Sequence, residues 1–150
     1  MILSRSELDT GFKDKLFEIN IDNTDTVDLK VLNNRLQCNL NSKKIKNGYL
    51  LKGYIVNNII YNCDRCLDSF HKNNQISIEL TITKNIQNIN SENYDFIYFS
   101  DTTNEINIKY NIIEILLSEY PIKILCHDEC RGLCLQCGKN LNKNKCSCKN

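Results

Sequence analysis

Cysteine clustering is the feature that most restricts how this chain can fold. Residues 126–148 hold six of its nine cysteines, namely Cys126, Cys130, Cys134, Cys137, Cys146 and Cys148. Packing of an apolar core does not require thiols at this density, whereas coordination of a metal ion does. We therefore expect this tail to be built around metal, because its own core is too small to fold without it.

The first predicted site lies within the tail and uses Cys134, Cys137, Cys146 and Cys148. A Cys-x-x-Cys pair in a tight turn can supply two thiolates to one tetrahedral Zn²⁺, and Gly138 can adopt the positive φ that such a turn requires. Eight residues separate the two halves, which is a loop short enough to close at little entropic cost. The spacing predicts a site with four thiolates.

A second predicted site joins distant parts of the chain. Cys63 and Cys66 form another Cys-x-x-Cys pair, and Cys126 and Cys130 are the remaining thiols without an obvious partner. His127 could replace one of these thiols as a ligand. Two zinc ions are therefore expected, and the ninth cysteine, Cys38, is left over. It lies in an apolar–polar alternation, where a free cysteine usually behaves as a small buried hydrophobe.

Other uses of the cysteines are open but less favoured. A disulfide framework predicts an even count and a secretory signal, whereas the count is odd and the first residues contain no apolar segment. A thioredoxin-like role for Cys63 and Cys66 would place them at the start of a helix, yet strand-like residues flank them. Iron bound by four cysteines fits the same spacing, because sulfur ligands suit both metals. Zinc is the expected ion.

Charge is distributed unevenly along the chain, although the net charge is only +1. Residues 27–84 and 121–150, which contain the predicted metal ligands, carry net charges of +5 and +4. If the second site joins these segments, they could form one basic surface that meets a phosphate backbone; the alternative is a solvated surface of mixed charge. The candidate RNA-binding residues are Lys43, Lys44, Lys46, Arg65, Arg131, Lys139 and Lys143.

The pattern of apolar residues predicts an α+β fold. Alternation within residues 35–43, 49–61 and 75–82 predicts antiparallel strands, with a turn at Asn47–Gly48 and the Cys63–Cys66 pair at a hairpin tip. Ile108, Ile112, Ile115 and Leu116 recur at helical spacing before Pro121. We expect a sheet-plus-helix domain over residues 1–121, a loop over residues 84–95, and a zinc-binding tail over residues 122–150 that packs on the hairpin. Asn107 is the expected N-cap of the helix, and Thr102 with Glu105 is a competing capping box one turn earlier.

The order of these features resembles the YceD family. The resemblance is carried by Cys63-Asp-Arg-Cys66-Leu67, by Glu105-Ile106-Asn107-Ile108 leading into the helix, and by the cysteine spacing from Cys126 to Cys148. The family often has Asp in place of Asn107. The resemblance implies a role in accumulation of 23S ribosomal RNA and assembly of the large ribosomal subunit. It also implies ribosomal RNA, its assembly intermediates or a ribosomal protein as partners.

No catalytic motif competes with this interpretation. The sequence has no Gly-rich phosphate loop, no G-x-S-x-G and no H-E-x-x-H. Centres closed by four thiolates leave no open position for a water nucleophile, so we expect a non-enzymatic protein without a small-molecule substrate. No apolar run reaches the ~20 residues of a membrane span, so a cytoplasmic location is expected. The alternatives are a zinc-thiolate redox sensor and a regulatory binding module.

Overall fold

The computed structural model describes residues 1–21, 30–84 and 96–148 and has the predicted α+β architecture. A mixed, mostly antiparallel sheet carries one main helix near the cysteine-rich tail. In chain order the described elements are β1 (Ile2–Ser4), α1 (Arg5–Thr10), β2 (Phe12–Asn20), β3 (Lys30–Val31), a 3-10 turn (Leu32–Asn34), β4 (Arg35–Ile45), β5 (Gly48–Asn62), β6 (Ser69–Thr83), β7 (Phe96–Tyr98), β8 (Glu105–Asn107) and α2 (Lys109–Ser118).

The centre of the sheet is the antiparallel meander β4–β5–β6. Period-two alternation decides which face each strand buries, because successive side chains point to opposite sides. In β4, Leu36, Cys38 and Leu40 are buried, whereas Arg35 and Gln37 are exposed. Cys38 therefore lies in the apolar core, where burial raises the pKa of its thiol to about 12.

The hairpin formed by β5 and β6 is the longest feature of the sheet. Its register runs without interruption from Gly48 opposite Thr83 to Asn62 opposite Ser69. The strands β4 and β5 are joined by Lys46 and Asn47, one residue earlier than the predicted turn. Gly48 is the first residue of β5, and a residue with a side chain does not fit there because its Cβ would lie 1.9 Å from the carbonyl oxygen of Ile82.

Shorter strands extend this meander. β2 pairs antiparallel with β4, β7 pairs parallel with β6, and β3 pairs antiparallel with the end of β5. β1 and β8 form a separate two-stranded antiparallel ribbon. The predicted loop at residues 84–95 lies outside the described residues, apart from Lys84.

Helix α2 covers the core face of the sheet and ends before Pro121, as its spacing predicts. Ile112 and Leu116 are buried in the same apolar cluster as the sheet residues. Asn107 lies two residues before the helix, and its Oδ1 accepts the N–H of Lys109, the first helical residue, at 3.0 Å. The prediction that Asn107 is the N-cap is therefore wrong, because Ile108 occupies that position and makes no side-chain capping hydrogen bond. The competing box of Thr102 and Glu105 is not at the helix start either, since Glu105 belongs to β8.

The helix α1 was not predicted. Its start is a capping box, in which Ser4 Oγ accepts the N–H of Glu7 and Glu7 Oε2 accepts the N–H of Ser4. Leu8 is its one buried side chain. Neither helix in the described part of the chain has the length and apolar character needed to cross a membrane.

Candidate metal centres

Four cysteines from two distant segments meet at the end of the β5–β6 hairpin. Cys63 and Cys66 lie in the turn between the strands, and Cys126 and Cys130 follow helix α2. Sγ of Cys63 is 3.7 Å from Sγ of Cys130, and Sγ of Cys66 is 3.7 Å from Sγ of Cys126. The four sulfurs lie within 4.8 Å of one another. We call this cluster the hairpin centre.

The remaining tail cysteines form a second cluster, which we call the tail centre. Cys146 lies 3.5 Å from Cys137 and 3.4 Å from Cys134, measured between Sγ atoms, and Cys148 completes the group within 4.8 Å. Gly138 follows the first pair with a φ of 69°, the positive value that the sequence predicted for this turn. Its N–H donates to the carbonyl of Cys134 at 2.8 Å, which closes the turn.

Both clusters have the dimensions of a tetrahedral metal site. Four sulfurs at ~2.3 Å from one ion are separated from one another by about 3.8 Å, close to the 3.4–3.7 Å measured here. A disulfide would require about 2.05 Å, and all nine cysteines are free. The two groups of four can therefore each hold one metal ion. His127 is not among the grouped ligand atoms of the described residues.

Backbone N–H groups favour the thiolate form at one sulfur of each centre. Burial raises the pKa of the Cys63 thiol, but N–H donors, of which that of Cys66 is the strongest, lower it to about 6 overall. The N–H of Cys137 is likewise the main reason why the pKa of Cys134 falls to about 6. Each Cys-x-x-Cys turn therefore presents a sulfur that is ready to bind a cation.

Other cysteines in the clusters have raised pKa values, which favour the protonated thiol. Burial, followed by the neighbouring thiols, raises the pKa of Cys126 to about 12, and the thiols of Cys146 and Cys137 raise that of Cys148 to about 12. Several thiolates in one small volume repel one another. A bound cation is what allows all four sulfurs to be deprotonated together.

The hairpin turn and the tail are joined by hydrogen bonds around Arg65. Its guanidinium donates to the carbonyl of Cys130 at 3.0 Å, and its own carbonyl accepts the N–H of Leu133 at 3.1 Å. Gly132 lies against this carbonyl with a φ of 73°, and a Cβ there would be 3.0 Å from the oxygen. The tail thus packs closely on the turn that carries Cys63 and Cys66.

Asp68 joins the same turn to the loop of the tail centre. Its Oδ2 accepts a hydrogen bond from Nδ2 of Asn140 at 2.8 Å and forms an ion pair with Lys143 Nζ at 2.8 Å. The Lys143 ammonium lowers the pKa of the Asp68 carboxyl. Sequence patterns do not reveal this contact, because 72 residues separate Asp68 from Asn140.

The candidate RNA-binding residues fall into two separate groups. The turn of Lys46 and Asn47, which follows Lys43 and Lys44, lies at one end of β5, and the hairpin centre lies at the other. Fifteen residues of extended strand place these ends about 45 Å apart. The expectation that both basic segments form a single surface is therefore wrong for these three lysines.

Several of the same candidates already have partners within the protein. Lys44 forms an ion pair with Asp9 at 2.6 Å, Lys143 pairs with Asp68, and Arg65 bonds to a backbone carbonyl. Within the described residues, no side-chain hydrogen bond or ion pair is found for Lys43, Lys46, Arg131 or Lys139. Among the candidates named from the sequence, these four cations are available to an external anion.

An open groove of about 1090 Å³ lies beside the tail centre. Arg131, Lys143 and Lys145 contribute its cations, and no acidic side chain of the described residues lines it. Leu133 and Leu141 provide apolar surface within it. Lys145 was not among the sequence-based candidates, although it lies in the same basic segment.

Comparison with known proteins identifies the family. Residues 51–150, two thirds of the chain, match the family model described as large ribosomal RNA subunit accumulation protein YceD. The Arabidopsis thaliana protein named large ribosomal RNA subunit accumulation protein YCED homolog 1, chloroplastic, is 41% identical over 54 residues, which are 36% of this chain and 17% of the relative.

The Zea mays protein of the same name is 38% identical over 56 residues, 37% of this chain and 19% of the relative. The matched segment thus spans less than a fifth of either plant protein. No solved structure is significantly similar to the chain. The family match covers the long hairpin, helix α2 and both cysteine clusters. The chain therefore belongs to the YceD family.

Proposed function

We propose that this protein supports the accumulation of 23S ribosomal RNA and assembly of the large ribosomal subunit as a zinc-braced binding protein. The observation that carries the proposal is the family match over residues 51–150, a segment that contains all eight clustered cysteines. Both plant relatives carry the accumulation role in their names. The segment that matches the family model is the segment that carries both cysteine clusters.

Zinc is the proposed occupant of each centre, because four thiolates in tetrahedral arrangement are the ligand set of structural zinc sites. In the hairpin centre Cys63, Cys66, Cys126 and Cys130 would hold the ion, and in the tail centre Cys134, Cys137, Cys146 and Cys148. Bound zinc would cross-link the segments that supply the thiolates and would allow all four to remain deprotonated. It would not catalyse a reaction, because no coordination position is left open for a substrate.

The surface proposed to contact RNA is formed by Arg131 and Lys145, which line the groove beside the tail centre, together with Lys139 of the loop between Cys137 and Cys146. These cations are free of internal ion pairs within the described residues. Because the hairpin centre fixes the tail on the sheet, the cations would be presented at fixed positions. Recognition of the phosphate backbone by such a surface depends on charge and shape.

The proposal is tested in cells that depend on this protein. Depletion should lower the ratio of 23S to 16S ribosomal RNA and the amount of large subunits in a sucrose gradient. Wild-type protein should restore both, whereas Cys63→Ser and Cys134→Ser should restore less. Cys38→Ala is the matched control, since it removes a thiol outside both centres. Normal 23S levels after depletion would refute the proposed function.

A further inference from the structure

One side chain from the loop of the tail centre reaches a sulfur of the hairpin centre. Asn142 lies between Cys137 and Cys146, and its Nδ2 is 3.3 Å from Sγ of Cys130. Cys130 is buried, with 3% of its surface exposed, so few groups can approach its sulfur. The amide of Asn142 is thus a donor to a ligand of the other centre.

The position of Asn142 is determined by three further hydrogen bonds. Its Oδ1 accepts the N–H of Arg131 at 2.8 Å, and its N–H and Nδ2 both donate to Oδ1 of Asn140 at 2.9 and 3.0 Å. An N–H can only donate, so the bond from Arg131 identifies the side-chain oxygen of Asn142. The nitrogen must then face Cys130.

This network continues into the hairpin turn. Asn140 donates to Asp68 at 2.8 Å, and Lys143, the residue after Asn142, pairs with the same carboxylate. The loop that carries Asn142 is closed by the tail centre, because Cys137 and Cys146 lie on either side of it. Ordering of that loop by the tail centre would therefore also place the donor.

A donor to a thiolate ligand stabilises the charge on sulfur and orients the ligand toward the metal. Groups with this role typically change metal affinity by 10–100-fold. An N–H donor is stronger when its acceptor carries charge, as a metal-bound thiolate does. Asn142 is therefore placed to affect a metal ion to which it would not itself be a ligand.

We propose that Asn142 is a positioning residue of the hairpin centre and that it couples the two centres, so that the hairpin centre retains metal more tightly when the tail centre is loaded. The proposal rests on the metal binding proposed above. Because coupling between two binding sites is reciprocal, loading of the hairpin centre must favour the tail centre by the same factor.

The test is a competition for zinc between the protein and a chelator, which measures how tightly the protein retains the metal. Cadmium NMR of protein in which cadmium replaces zinc observes each centre separately. Asn142→Ala and Asn142→Asp should weaken metal retention at the hairpin centre by about 10–100-fold. Asn142→Asp keeps the oxygen that accepts the Arg131 N–H and loses the donor. Asn144→Ala and Asn144→Asp are matched controls in the same loop, since the Asn144 side chain makes no described contact with a sulfur.

The coupling itself is tested by combining Asn142→Ala with Cys137→Ser, which opens the tail centre. Cys137→Ser alone should weaken the hairpin centre, and adding Asn142→Ala should cause little further loss, because the loop no longer holds the donor in place. Equal hairpin-centre affinity in the Asn142 and Asn144 variants would overturn the proposal. Independent, additive losses would overturn the coupling.

Two further outcomes remain distinguishable. Weaker metal retention at the tail centre in Asn142→Ala is expected from the reciprocity of the coupling, whereas complete loss of tail-centre metal would show that the loop has unfolded. In that case Asn142→Asp, which keeps the side-chain size and the oxygen that accepts the Arg131 N–H, separates loss of the donor from loss of the loop. If wild-type protein binds no metal in either centre, the proposed zinc binding fails, and the coupling fails with it. Sheet amide signals in the NMR spectrum report whether each variant is folded.

Discussion

Asp64 and Ile124 form a reciprocal pair of hydrogen bonds across 60 residues of sequence. The N–H of Ile124 donates to the Asp64 carboxylate at 2.6 Å, and the N–H of Asp64 donates to the carbonyl of Ile124 at 2.8 Å. One member lies in the turn between Cys63 and Cys66, and the other lies two residues before Cys126. The pair therefore aligns the two halves of the hairpin centre.

This relationship predicts that Asp64→Ala weakens metal retention at the hairpin centre without removing a ligand. We expect a loss of about 10-fold or more, since the segment that carries Cys126 would lose one of the contacts that align it. Asp128→Ala is the control, because this carboxylate lies in the same segment and makes no described side-chain contact. Chelator competition measures the effect, and equal retention in the two variants would contradict it.

Metal content is the second prediction. Protein purified without added metal should contain two zinc ions per chain, because eight thiols form two sets of four. No tightly bound iron is expected, since zinc is the proposed occupant of both centres. Cys38→Ala should keep both ions, as its thiol is buried in the core. Elemental analysis measures the number and identity of the metal ions. One ion per chain would exclude one of the two centres. A coloured, iron-containing protein would favour an electron-transfer function over the proposed one.

The third prediction concerns how each centre supports the fold. Cys134→Ser should disorder the tail while the sheet stays folded, because the tail centre closes only local segments. Cys63→Ser should loosen residues 121–130 from the hairpin, since that centre joins distant segments. Backbone NMR dispersion is the measurement. Identical, global loss of dispersion in both variants would show that the cysteines are grouped wrongly.

The fourth prediction concerns RNA. Reversal of Arg131, Lys139 and Lys145 to Glu should reduce binding to large-subunit ribosomal RNA by at least ~10-fold and lower the salt dependence of binding by ~2–3 counterions. Zinc content should not change. The matched control reverses Lys13, Lys43 and Lys46, which lie at the opposite end of the sheet. Normal binding by the tail variant would favour a protein partner instead.

The fifth prediction is that the stability of the fold depends on pH through Glu7, which belongs to the capping box of α1. The hydrogen bond from Lys15, followed by that from the Ser4 N–H, lowers the pKa of Glu7 from 4.5 to about 2. The Glu7 carboxylate therefore stabilises the fold fully above pH 4.5, and this contribution is lost as pH falls toward 2.

Glu7→Gln should lower the free energy of unfolding by up to about 1 kcal/mol at neutral pH, a modest effect because the Glu7–Lys15 pair is partly exposed. The deficit should shrink as pH falls below 4.5. Acid also releases thiolate-bound metal, so variants are compared at the same pH by urea unfolding. Glu114→Gln, an exposed position on α2, is the control. A deficit independent of pH would contradict the linkage.

The sheet could be predicted because alternation is a local signal. Alternate side chains are buried over residues 36–42 of β4, over most of β5 and over residues 78–82 of β6, so the pattern is visible without knowledge of the partner strand. Helix α1 was missed because six residues contain too few turns to show a helical period. The signal that could have found it is the Ser4–Glu7 spacing of a capping box.

The cysteine groups could also be predicted, since Cys-x-x-Cys pairs are local and the count leaves few ways to combine them. The contact between Asn142 and Cys130 could not, because it depends on how two loops pack. The separation of Lys43 from the tail could have been deduced from sequence. A single long strand between Gly48 and Asn62 necessarily places its two ends far apart.

The sequence distances within the two centres also impose an order on biosynthesis. The first pair of the hairpin centre is made 60 residues before Cys126, whereas the two halves of the tail centre are only nine residues apart. While the ribosome is still synthesising helix α2, Cys63 and Cys66 are exposed as a half-site that can bind metal only weakly. The four sulfurs of the hairpin centre can come together only after Cys130 has left the exit tunnel, so any metal ion bound there enters after the sheet has been synthesised.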